Sequence, residues 1–142
     1  MMIEKHTINT KWISEMAFEA DVDGHKIIMD AMPESGGVDA GPGPKKLMLV
    51  ALSGCTGMDV VSILKKMHVE LKECGIEVQG DVAEEHPKRY TKMHVIYTFT
   101  GKNLPMDKLQ KAVTMSEKTY CGVEALYKLA IEVTSEIKIV ES

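Results

Sequence analysis

Arginine is almost missing from this chain of 142 residues: among 17 basic residues only Arg89 is one, and the rest are Lys. Planar, bidentate recognition of phosphate or carboxylate favours the Arg fork, so such a site has almost nowhere to lie. Aromatic residues make up only 5% of the chain, and the formal net charge is −4. That balance gives no electrostatic case for nucleic acid or for an anionic membrane surface. Cysteine is scarce and odd in number, with Cys55, Cys74 and Cys121 widely spaced and no CxxC pair. This argues against a secreted disulfide framework and against the familiar tetrahedral zinc spacings. His6, His25, His68, His86 and His94 show no metal-ligand spacing either, so no metal or cofactor is expected. The chain opens without a basic, apolar, small-residue leader. The expectation is a cytoplasmic protein forming one domain over residues 1–142.

What the sequence does contain is alternation, then a long apolar run. Met16, Phe18, Ala20 and Val22 alternate with Ala17, Glu19 and Asp21, the period of a half-buried strand. Asp23-Gly24 follows, a pair suited to a two-residue turn with positive φ at both positions. Counting outward from that turn pairs Val22 with His25, Ala20 with Ile27 and Phe18 with Met29, and sets Asp21 opposite Lys26. An earlier strand is expected near His6 to Ile13. Residues 33–44 (PESGGVDAGPGP) break both helix and strand. Gly41-Pro42-Gly43-Pro44 lacks the GK[ST] of a phosphate loop, so Pro44 is read as the start of a helix.

That helix runs from about Lys45 to Met67 and is apolar on nearly every face, which places it in a core or between subunits rather than across a membrane, given Asp59 and the small polar residues within it. Gly54 and Gly57 leave room for close approach beside Cys55. Two strands are expected around Ile76–Val82 and Met93–Phe99. A second helix opens near Pro105 with Leu109, Ala112, Val113 and Ser116 on one stripe, and breaks at Tyr120-Cys121-Gly122. A short helix from Val123 to Leu129 leads to a last strand with Ile131, Val133, Ile137 and Ile139. The order implies an α+β fold, mainly antiparallel, and an all-apolar helix in so short a chain implies burial in a homodimer.

Taken alone, each cysteine reads as a small buried hydrophobe. Small residues flank Cys55, so a substrate atom could reach it. Cys121 begins a helical turn, where free N–H groups lower a thiol pKa. Asp59 follows Cys55 by four residues, on the same helix face. Cys74 reads as a bystander, and Arg89 as a solvated turn residue.

Two segments resemble one family. Leu47 through Ser53-Gly54-Cys55-Thr56-Gly57-Met58-Asp59-Val60-Val61, after Gly43-Pro44, resembles the first cysteine motif of the OsmC/Ohr proteins (osmotically inducible protein C and organic hydroperoxide resistance). Glu117-Lys118-Thr119-Tyr120-Cys121-Gly122-Val123 resembles the second. The resemblance implies an OsmC-like α+β fold with a long buried central helix, in an intertwined homodimer. It implies a thiol peroxidase in which Cys55 is peroxidatic and Cys121 resolving, an apolar hydroperoxide substrate and an external dithiol reductant. The family's peroxidases use an Arg held by a Glu to stabilise the thiolate. Here Lys45-Lys46 stand in the Glu place and no Arg precedes Arg89. Lys45, Lys46, Asp59 and Glu117 are therefore the supporting candidates, Asp59 being typical of a less characterised branch. Three outcomes stay open at this level: a peroxidase, a redox sensor or small-molecule binder without turnover, and a scaffold whose cysteines never meet.

Overall fold

The computed structural model describes residues 2–142 and divides into two compact units, Met1–Met48 and Leu49–Ser142. The first unit holds a three-stranded antiparallel sheet, β1 (Asn9–Ser14), β2 (Ala17–Val22) and β3 (His25–Met29). The β2–β3 register pairs Phe18 with Met29, Ala20 with Ile27 and Val22 with His25, as the turn predicts. Asp23 and Gly24 have φ of 52° and 85°, which is why Asp-Gly is needed there. Lys26 Nζ lies 3.1 Å from Asp21 Oδ2 across the strands. β1 starts three residues later than the sequence suggests and carries a bulge between Trp12 and Ser14.

The loop after β3 is built on one carboxylate. Asp30, almost fully buried, accepts hydrogen bonds from the backbone N–H of Ala31 (2.7 Å), Ala40 (3.0 Å) and Val38 (3.2 Å). These bonds hold its carboxyl below the ordinary 3.8, the Ala40 bond contributing most. The chain passes so close to itself here that a Cβ on Gly37 would meet Ala31 O at 2.0 Å, and one on Gly41 would meet Ile28 O at 2.1 Å. Pro44–Lys46 then forms one 3₁₀ turn that leads into the long helix.

The second unit packs helices on the sheet β4 (Glu73–Val82), β5 (Tyr90–Gly101) and β6 (Glu132–Glu141). β4 and β5 are antiparallel. β5 and β6 are parallel, which requires the helical crossover that joins them. Met93, Val95, Tyr97 and Phe99 alternate inward along β5 and form the core with Leu52, Val60 and Leu64 of α1 (Leu47–Lys66) and with Leu109, Ala112 and Val113 of α2 (Met106–Met115). By length and composition α1 could cross a membrane, but every fourth residue from Leu52 to Leu64 is locked into this core. Its other side is uncovered, with Met58 78% exposed and Val50 and Val61 also in the open. Gly57 does permit a close approach, since a Cβ there would meet Ile76 Cδ1 at 2.8 Å, whereas Gly54 faces open space.

Candidate functional site

The site sits where the second helix changes pitch. After α2 comes a π-helical turn over Ser116–Tyr120, closed by the bond from Cys121 N–H to Ser116 O at 2.8 Å. Cys121 is extended (φ −78°, ψ 102°) and caps the short α3 (Gly122–Lys128). Its Sγ accepts from Glu124 N–H at 3.3 Å. The break that the sequence places at Tyr120-Cys121-Gly122 is this turn and cap.

Cys121 is buried while Cys55, midway along α1, is half-buried. The two sulfurs and a carboxylate oxygen of Asp59 all lie within 4.8 Å of one another. Cysteines 66 residues apart in sequence thus converge, and Asp59 joins them from one turn further along α1. Asp59 Oδ2 accepts from the buried Ser116 hydroxyl at 3.0 Å, which ties α1 to the end of α2. Thr56, also buried, turns its hydroxyl back onto Leu52 O at 2.8 Å.

One expectation from the sequence is reversed. The cap N–H groups of Glu124 and Val123 do favour a Cys121 thiolate, yet its pKa is pushed up to about 12. Burial is the leading cause, and the neighbouring Cys55 adds to it. Two N–H dipoles do not offset the removal of a thiolate from water.

The other candidates separate. Glu117 is half-buried and accepts from the Ser135 hydroxyl of β6 at 3.2 Å, so it faces the sheet. Lys45 and Lys46 are exposed in the 3₁₀ turn of the N-terminal unit. Cys74 is half-buried opposite Phe99 on β5, with its thiol pKa raised by burial. Arg89 is exposed and donates to Tyr90 O at 3.3 Å.

Glu124 escaped sequence reading. It is fully buried, and Lys128 Nζ lies 3.0 Å from its Oε2 as an ion pair. Burial raises its pKa, Lys128 opposes the rise, and Glu117 reinforces it. Tyr97 Oη lies in the same interior. Burial raises the phenol's pKa, Glu117, Glu124 and Cys121 add to the rise, and the Thr56 hydroxyl opposes it. The available signal was positional: Glu124 is the third residue after the cap, where a Glu ordinarily reaches back to the cap N–H. Here Ser116 O already takes that N–H.

Comparison with known proteins identifies the family and the fold. Residues 36–136 match the family described as OsmC-like protein. The chain is 31% identical over 131 residues to Protein YhfA of Escherichia coli (strain K12), covering 92% of this chain and 95% of that protein. It superposes on the crystal structure of a protein from Aquifex aeolicus VF5 with TM-score 0.87 and 27% identity, over 99% of each chain. The fold also matches the organic hydroperoxide resistance protein OhrB of Bacillus subtilis, with TM-score 0.67 and 16% identity over 95% of this chain and 98% of that one. Two neighbouring cysteines in such a fold fit a redox role, and the chain belongs to the OsmC-like protein family.

Proposed function

We propose that this protein is a thiol-dependent hydroperoxide reductase, with Cys55 attacking and Cys121 resolving. The convergence of the two sulfurs, within 4.8 Å, carries the reading. Exposure supports the order: half-buried Cys55 can meet a substrate, while Cys121 is buried. The Cys55 thiolate attacks one peroxide oxygen. An S–O bond forms, the O–O bond breaks, and the leaving oxygen takes a proton to depart as alcohol or water. Cys121 then gives up its proton and attacks the sulfenic sulfur. The S–S bond forms and water leaves. An external dithiol returns both cysteines to thiols by exchange.

The site works within a single domain spanning residues 1–142, since the family match crosses the division at Met48. A second copy of the chain covers the open side of α1, where Val50, Met58 and Val61 are exposed. The setting is the cytoplasm, where dithiols keep the pair reduced.

The test is hydroperoxide consumption by the purified reduced protein with dithiothreitol, using cumene hydroperoxide and hydrogen peroxide. Cys55→Ser abolishes turnover. Cys121→Ser permits one equivalent of oxidation and leaves a sulfenic acid that dimedone traps. Absence of turnover in the wild type would sink the reading. Asp59 favours a second one, a redox sensor without turnover, because its carboxylate beside the thiol pair takes a place that a peroxidase gives to a cation. That sensor oxidises once, slowly, and shows no steady state.

A further inference from the structure

Three ligating atoms of two different kinds converge at one point: the sulfurs of Cys55 and Cys121 and a carboxylate oxygen of Asp59, all within 4.8 Å of one another. They come from two elements, so their meeting is a product of the fold rather than of sequence proximity. A tetrahedral zinc with Zn–S near 2.3 Å and Zn–O near 2.0 Å sets its ligand atoms about 3.5–3.8 Å apart, so closing the set requires separations to change by little more than about 1 Å, within reach of small side-chain rotations. The surroundings already orient the donors. Ser116 O–H donates to Asp59 Oδ2 at 3.0 Å, and Glu124 N–H reaches Cys121 Sγ at 3.3 Å. Such outer contacts fix ligand geometry in metal sites. Asp59 also lines an open cleft of about 360 Å³ with Ser62, Ile63, Lys66 and Met115, so this one member of the set borders solvent-accessible space. Two sulfurs and a carboxylate oxygen form a donor set suited to a thiophilic dication, which displaces the thiol protons as it binds.

We propose that the reduced site binds one thiophilic divalent cation, zinc or a metal of its class, through Cys55 Sγ, Cys121 Sγ and Asp59, with a fourth position left for water or another small ligand. The site needs only the reduced cysteines and does not rest on peroxide turnover. Metal and disulfide compete for the same sulfurs, so a bound cation protects the pair from oxidation.

The probe is Co²⁺, titrated anaerobically into the reduced, metal-free full-length protein. The expected result is saturation at one equivalent, with a sulfur-to-cobalt charge-transfer band and the strong visible bands of tetrahedral cobalt, all bleached by one equivalent of zinc. Cys55→Ser and Cys121→Ser each diminish the charge-transfer band, Cys74→Ser leaves it unchanged, and wild type oxidised to the disulfide binds none. Asp59→Asn, with its circular dichroism unaltered, weakens zinc at least tenfold in chelator competition. Two results overturn the proposal: no charge-transfer band in wild type whose thiols titrate as reduced, or unchanged zinc affinity in Asp59→Asn. Peroxide turnover is measured on the same metal-free preparation, so either reading can fail while the other stands.

Discussion

Each unit of this protein buries one carboxylate, and the two are treated in opposite ways. In the N-terminal unit Asp30 receives three backbone N–H bonds, and its pKa falls. In the C-terminal unit Glu124 has one lysine beside it, and its pKa rises. A carboxylate ringed by N–H donors is a strut, because ionisation and the loop around it support each other. A carboxylate without such a ring strains against its surroundings when charged. The first unit is braced by its buried carboxylate, whereas the second keeps buried polar groups, Glu124 and Tyr97, that are less fully satisfied.

The largest effect that separates the units is steric. Gly41→Ala places a methyl group 2.1 Å from Ile28 O, where only backbone can yield. It destabilises the protein by about 3 kcal/mol or more in denaturant unfolding. A loss under about 1 kcal/mol would show that the loop is not held as tightly as Asp30 implies.

Next come the two carboxylates. Asp30 is depressed, so its contribution is fully present above 3.8 and is lost as pH falls below that toward its folded value. Asp30→Asn lowers the thermal midpoint at pH 7 and flattens its fall in acid. Glu124 is raised above 4.5, so its contribution is present below that pH and is lost as pH climbs through the folded value. Glu124→Gln matches wild type near pH 4 and is more stable at pH 8 by about 1 kcal/mol. If Glu124→Gln is instead the weaker protein at pH 8, the contrast between the units collapses.

The smallest effect is the sharpest probe of the open face of α1. Nothing lies near the Cβ position of Gly54, so within one chain Gly54→Ala stabilises the helix by about 0.5–1 kcal/mol. If a second copy packs there, the substitution destabilises, and the elution volume of the variant shifts toward the monomer.

What was legible in the sequence was local. Asp23-Gly24 fixed the register of Phe18 on Met29 because a two-residue turn leaves no freedom in the count. The stripe Leu109, Ala112, Val113 and Ser116 foretold a buried face because helical periodicity is set by neighbours. What was not legible depended on distance or on competing energies. Asp30 serves the backbone of residues eight and ten positions away, and no side-chain pattern marks that. The Cys121 thiol was misjudged because a cap is visible in sequence while the depth of burial around it is not. The pairing of Cys55 with Cys121 was suggested by resemblance, since no local spacing joins them, and Asp59 gained meaning only with Ser116 against it.

The π-helical turn carries a consequence of its own. Continued at ordinary pitch, the buried side of α2 would pass from Leu109, Val113 and Ser116 to Tyr120, one turn on. The wider turn takes up one extra residue, so Cys121 goes inside and Tyr120 stays 58% exposed. The second sulfur is therefore placed by a count. At ordinary pitch a chain of the present length would keep every side chain named in the site and still swing that sulfur about 100° around the helix, away from Cys55. In this fold the identity of the cysteine and the length of the turn before it form a single specification, and neither is useful without the other.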